Sequence, residues 1–157
     1  MNAPVTRPRQ SAPNMTVRRP DAAAQLRRDF FVYDIDFLAI APGGTANGQI
    51  QIQADADFEL QKLTHFSDIA AAGETEGSRV LPLVTVQITD TGTGRQMFNA
   101  PVPIPAMFGD GRIPFILPTT KVFSRNASVS FVLSNYDVAH TYNVRLQLIG
   151  AKIFAYG

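Results

Sequence analysis

The sequence predicts an all-β fold: an antiparallel β-sandwich or barrel of about eight strands behind an extended N-terminal arm. Three observations predict it. Apolar residues recur at a period of two from Phe30 onward, turn-rich connections separate these runs, and no long segment of the body keeps a period of 3.6.

The arm comes first. "MNAPVTRPRQSAPNMTVRRPDAAAQLRRD" (1–29) holds Pro4, Pro8, Pro13 and Pro20, few large apolar residues and no sustained periodicity. Alone it buries too little surface to offset the entropy of ordering, so it reads as a strap, a tail or a linker. Only "DAAAQLRR" has the makings of a helical turn, with Asp21 as N-cap. Residues 1–28 carry six arginines (Arg7, Arg9, Arg18, Arg19, Arg27, Arg28) against Asp21, a net +5, whereas the remainder is −4. Without interleaved aromatics the arginines are a weak nucleic-acid signal, and no specific nucleic acid is expected as a partner.

The body, 30–157, follows as a single domain. "FFVYDIDFLAI" (30–40) sets Tyr33, Ile35 and Phe37 against Asp34 and Asp36. "GQIQIQADADFELQKL" (48–63) reads as one strand, with Ile50 and Ile52 opposite Gln49, Gln51 and Gln53. "VLPLVTVQIT" (80–89), "ASVSFVLS" (127–134) and "TYNVRLQLIGAKIFAY" (141–156) keep the same period. Shorter strands are expected at 95–99, 112–117 and 121–123, and a helical turn at 66–74. Prolines 82, 101, 103, 105, 114 and 118 mark edges or bulges.

Composition removes several functions. The chain has no cysteine, so no disulfide or thiolate site is possible. No apolar run approaches the roughly 18 residues of a membrane helix, and the basic N-terminus lacks the apolar stretch of a signal peptide. A soluble, cytosolically made protein is the expectation. Charged residues make up 17% of the chain where about 25% is usual, which suggests a surface covered in part by something else.

The chemical motifs are equally spare. "MFGDGRIPFILP" (107–118) lacks the helix that a phosphate cradle requires, so Gly109 and Gly111 are expected to make a turn with positive φ and Pro114 to guard an edge. Met107 and Phe108 beside that turn are candidate partner-binding anchors, with core packing the competing role for Phe108. Asp55, Asp57 and Glu59 alternate along a strand and read as a solvated face, with Ala56, Phe58 and Leu60 turned inward. His65 and His140 have no ligand spacing around them, His140 shares a turn with Asp137, and no G-x-S-x-G elbow exists. Tyr33, Tyr136, Tyr142 and Tyr156 are the available stacking platforms for a sugar. No catalytic residue, metal site or cofactor is expected.

Three stretches carry a family resemblance. "LAIAPGGTANGQIQIQADADFEL", "VTVQITDTGTGRQMFNAPVPIPAMFGDGRIPFIL" and "SVSFVLSNYDVAHTYNVRLQLIGAKIF" resemble, in their order of turns and strands, small virion proteins of tailed bacteriophages. The likeness spans roughly residues 30–155 and is one of pattern. It implies a jelly-roll-like sandwich and a non-enzymatic role as a capsid cement or decoration protein that binds and reinforces neighbouring subunits in the virion. The partners implied are the major capsid protein or portal and neck subunits, together with further copies of the chain in a homo-oligomer and no membrane. The arm, through Arg7, Arg9, Arg18, Arg19, Arg27 and Arg28, would lace to those neighbours. The alternatives are a neck collar or tail-associated subunit, and a carbohydrate- or receptor-binding module.

Overall fold

The computed structural model describes residues 26–70 and 81–154. These form β1 (Arg27–Ile40), β2 (Thr45–Gln51), β3 (Asp57–Ile69), β4 (Val84–Asp90), β5 (Arg95–Gln96) and β6 (Val102–Pro103). After a single helical turn, α1 (Ile104–Met107), come β7 (Phe115–Phe123), β8 (Ser128–Asn135) and β9 (Tyr142–Phe154). The strands make two antiparallel sheets, one in the order β1-β9-β3-β7 and the other β2-β8-β4-β5, with β6 also paired to β4. Successive strands alternate between the sheets except at the β4-β5-β6 meander, and this interleaving is the strand order of a jelly roll.

Alternation explains the core. Tyr33 and Phe37 of β1, Phe58, Leu60 and Leu63 of β3, and Val144, Leu146 and Leu148 of β9 face Val84, Val86 and Ile88 of β4 and Val129, Phe131 and Leu133 of β8. Edge-to-face ring pairs lock one side of it, with Tyr33 and Phe58 at 4.8 Å between centroids. Ala56, Phe58 and Leu60 are buried, as their alternation requires.

The elements depart from the sequence expectation at four places. The strand expected over 48–63 is two, because residues 52–56 carry the chain from one sheet to the other. Ile52 and Ala56 are both buried, so the apolar alternation runs through the corner without marking it. Lys152 closes that corner: buried, with its ammonium 4.3 Å from the Phe31 ring centroid, it donates to Asp55 (2.8 Å) and to Gln53 Oε1. That hydrogen bond from Lys152 holds the Asp55 carboxyl below the usual range.

The short strands expected at 112–117 and 121–123 are one strand, β7. Its pairing with β3 jumps from Leu60↔Lys121 to Lys62↔Ile116, so residues 117–120, including Pro118, bulge away from the ladder. Thirdly, β1 starts at Arg27 rather than Phe30, which moves the junction with the arm and places Arg27 and Arg28 in the sheet. Finally, Phe66–Ile69, assigned by sequence to a helical turn, finish β3, Ala70 follows in a turn, and residues 71–74 lie outside the described residues.

Phe58 sits at the centre of the packed rings with no exposed surface. Phe58→Ala should lower unfolding stability by about 3–5 kcal/mol, read from urea titration. A loss below about 1 kcal/mol would mean that the two sheets do not share this core.

Candidate functional site

The interleaved topology gathers the β1–β2, β3–β4, β6–β7 and β8–β9 connections at one end of the sandwich and the β2–β3, β4–β5 and β7–β8 connections at the opposite end. Two contacts show the convergence at the first end: Tyr136 N donates to Leu83 O (2.8 Å) and Ala70 N to Thr141 O (2.8 Å). The opposite end holds both ends of the described chain, since Arg27 pairs with Phe154, and it is charged. There Arg27 meets Asp29 (2.7 Å), Arg28 meets Glu59 (2.8 Å) and Lys152 meets Asp55 (2.8 Å).

Leu26 and Phe30 are exposed among those charges, and the first end too carries exposed apolar side chains. Leu83, Tyr136 and Val138 stand exposed on it, Val138 at 93%, with Leu38 near the end of β1 and Leu81 lining a depression on the adjoining sheet face. Scattered exposed apolar residues are ordinary, but a cluster on one end of a sandwich is the surface expected of a contact site. It is also rigid, because one amide organises it. Asn135, at the end of β8, is 2% exposed. Its Nδ2 shares two hydrogens among the carbonyls of Ile40 (3.0 Å), Ala41 (3.1 Å) and His140 (2.9 Å), and its Oδ1 accepts from Asp137 N (2.9 Å).

Asp137 continues the knot. Its carboxylate accepts from Tyr142 Oη (2.7 Å), from Ala139 N (2.8 Å) and from His140 N (3.2 Å), and it contacts His140 Nδ1 (2.9 Å). The Tyr142 hydroxyl, then the Ala139 amide and the His140 ring, hold this carboxyl well below the usual carboxylate range. Burial, with the neighbouring carboxylate, pushes the Tyr142 hydroxyl up. Aspartate, histidine and tyrosine here fix a loop: every bond named ties the β8–β9 connection to itself or to β9.

The residues singled out by sequence are dispersed. Arg7, Arg9, Arg18 and Arg19 lie outside the described residues. Arg27 and Arg28 are at the charged end, each paired with a carboxylate, and the Arg27 guanidinium lies 5.4 Å from the Phe154 ring centroid. Phe108 is a correction: at 1% exposure its ring is part of the hydrophobic core, while Phe108 O and Gly109 O are held by the His65 ring at 2.8 and 3.2 Å. Met107 packs partly against the core and lines a shallow depression with Phe98, Phe115 and Leu117. Neither Gly109 nor Gly111 has positive φ, a conformation that falls to Gly43 and Gly94. Gly109 is required instead by close approach, since a Cβ there would lie 1.9 Å from Ile113 O. The turn itself is made by Asp110, whose Oδ1 accepts from Arg112 N and Ile113 N, both at 2.8 Å.

Asp55, Asp57 and Glu59 do not share a solvated face. Asp55 holds Lys152, Asp57 accepts from Arg125 N (2.8 Å), and Glu59, only 8% exposed, faces Arg28. Among the described residues no group of three or more His, Asp or Glu is arranged to hold a metal. Beside the apolar end, the outer face of β3 and β9 carries a depression of about 440 Å³ lined by Thr64, Phe66, Arg145 and Gln147. Phe66 is 46% exposed there, and Arg145 is engaged by Asp36, whose carboxyl that contact lowers. Sequence reading missed the apolar end because its residues are far apart in sequence, Leu38 within β1, Leu81 and Leu83 just before β4, and Tyr136 and Val138 in the β8–β9 connection. The "LPL" and "NYDVAH" stretches were its only visible signal.

No protein-family model matches this chain, and no curated protein sequence matches it.

The knot predicts a pH dependence. A carboxyl depressed in the folded state stabilises the fold above its unfolded pKa of about 3.9, and that stabilisation is lost as pH falls below it. Asp137→Asn should therefore lower the melting temperature at pH 7, with the gap from wild type narrowing below about pH 4. A gap unchanged between pH 7 and pH 3 would remove Asp137 from this role. Asn135→Ala, which strands buried carbonyls, should cost roughly 2–4 kcal/mol by denaturant titration.

Proposed function

We propose that the chain is a non-enzymatic structural subunit of a tailed-phage particle, of the capsid cement or decoration type, that docks on neighbouring subunits through the apolar end of its sandwich. The observation that carries this reading is the exposed group Leu83, Tyr136 and Val138 on a stiffened end, with Leu38 and Leu81 exposed on the adjoining sheet, opposite the charged end where the described chain begins. Such a surface loses little conformational entropy on docking, because the Asn135 and Asp137 bonds have already fixed its loops. The jelly-roll strand order adds support by fold-level analogy with capsid proteins. A ligand that binds only the assembled shell stabilises that shell by mass action, and weak contacts repeated on a lattice add up to firm retention. The arginines of the arm suit forked pairing with carboxylates on a neighbour.

A carbohydrate- or receptor-binding role is the second reading, favoured by the depression beside Phe66. An exposed ring beside the Gln147 amide and the Arg145 guanidinium offers one apolar and two polar surfaces to a sugar.

Copy number in purified particles, relative to the major shell protein, tests the leading reading. Hundreds of copies per particle are expected of a cement protein, about a dozen of a neck collar, and none would overturn the proposal. Val138→Asp together with Leu83→Asp should reduce incorporation at least tenfold while leaving the melting temperature within a few degrees of wild type. Saturable glycan binding that Phe66→Ala abolishes, with no incorporation into particles, would shift the assignment to the second reading.

A further inference from the structure

Four strand edges border the two sheets, and three are guarded. The β1 edge carries Arg27, Arg28, Asp29, Asp34 and Asp36, and its register shifts between Phe37 and Ile40. The β7 edge contains Pro118 and Lys121 and its excursion from the ladder. The fourth strand of the second sheet is broken into β5 and β6, each two residues long, with Pro101, Pro103 and Pro105 around the second. Charge, proline, bulges and brevity are the devices that keep sheet edges from pairing with other chains.

The β2 edge has none of them. "TANGQIQ" is seven residues without a charge or a proline, in unbroken register from Thr45↔Ser134 to Gln51↔Ser128. The hydrogen bonds from Asn135 N to Gly44 O (2.9 Å) and from Ile52 N to Ala127 O (2.8 Å) set the phase of the ladder. Even-numbered residues of β2 bond to β8, so the N–H and C=O groups of Thr45, Asn47, Gln49 and Gln51 point to the free side. These four residues are exposed, and among the described residues no strand pairs with them. The sheet face beside them is also uncharged, with Ser128, Ser130, Val132 and Ser134 on β8 and Thr85, Gln87 and Thr89 on β4 at the outward positions.

From this we infer that β2 is a strand-addition site whose occupant is β2 of a second copy, paired antiparallel about a twofold axis at Gly48. The argument for a second copy is self-complementarity. Centring the pair on Gly48 sets Asn47 opposite Gln49 and Thr45 opposite Gln51, with about eight backbone hydrogen bonds and no charge facing its own image. A charged strand would meet like charges under the same symmetry. Gly48 falls on a non-hydrogen-bonded pair, where Cα atoms approach to about 4.5 Å. On its inner side it is already constrained, since a Cβ would lie 2.7 Å from Ile35 and Phe37. The nearest carboxylates on β1, Asp34 and Asp36, are both engaged by Arg145. The result is one continuous sheet across two subunits, an isologous interface of the commonest symmetry. This inference does not depend on the virion reading, and the copy-number measurement leaves it untouched.

The test uses the full-length chain, with native mass spectrometry for its mass and amide hydrogen exchange for the edge. Twice the chain mass is expected, with the Asn47 and Gln49 amides slowed as concentration rises, while those of Ala46, Gly48 and Ile50 are slow throughout. Gln49→Pro removes an N–H that β8 does not use, so it should keep the melting temperature and weaken self-association at least tenfold. Should that variant fail to fold, Asn47→Lys does the same work by placing two ammonium groups near the axis, and added salt should partly restore the dimer. A single-chain mass at every concentration, with freely exchanging Asn47 and Gln49 amides, would overturn the inference. So would a dimer that survives both substitutions, or an edge protected only by a different protein.

Discussion

The amide of Asn135 is the contact on which the arrangement of the apolar end depends. A jelly roll sends its chain repeatedly from one sheet to the other, and each crossing leaves carbonyl groups that no ladder satisfies. Asn135 takes up three of them, from the β1–β2 and β8–β9 connections, while its backbone N–H bonds to Gly44. Asp137 then fixes the rest of the β8–β9 connection with Tyr142 and His140. Because these loops are held by buried polar bonds, their apolar side chains are not needed inside and can face outward. The polar knot and the apolar surface are thus two sides of one arrangement.

The opposite end is organised by charge. Lys152 turns inward over Phe31 and holds the corner of residues 52–56, and Arg28 covers Glu59. A buried ammonium costs much in desolvation unless it is fully paired, and here two side-chain acceptors and an aromatic face share the load. The arginines nearest the sandwich, Arg27 and Arg28, are therefore part of its edge, whereas the arginines further back belong to the arm. That division gives the basic segment two physical roles that its charge alone does not separate.

Much of the fold was legible because sandwich strands write their burial into a period of two. Ile50 and Ile52 against Gln49 and Gln51, or Val129, Phe131 and Leu133 against Ser130 and Val132, are readable without coordinates. What failed was anything decided by tertiary contact. The corner at 52–56 keeps the alternation of a strand, and only the Lys152 contacts mark it as a crossing. Pro118 lies in a bulge of the edge strand β7, as a proline there should, but the strand runs on through it where the sequence suggested two. Phe108 sits in a glycine-rich stretch that reads as surface, but its ring packs in the core while His65, distant in sequence, holds its carbonyl. The apolar end was illegible for a related reason: Leu83, which reads as part of a strand over 80–89, and Val138, in the β8–β9 connection, are far apart in sequence, and only the topology brings their segments together.

Edges and ends constrain each other. A sandwich that guards every edge is a closed unit, free to touch others only through its ends. This one guards three edges and leaves the fourth uncharged over seven residues beside an uncharged face. The usual penalty for such an edge is uncontrolled association, and evolution removes it cheaply with a single lysine. Gln49 and Gln51 occupy positions where lysine would meet no steric obstacle, since both side chains are exposed. At Gln51 the amide serves a local bond, its Nε2 donating to Asn126 O and its Oε1 accepting from Ser128 Oγ, so Gln49 is the position whose lack of charge a partner strand would explain. Pairing through β2 also leaves the apolar loop end uncovered, because the edge runs along the side of the sandwich, between its two ends. A subunit built this way can join its own copy through backbone hydrogen bonds and still present a rigid apolar surface to something larger.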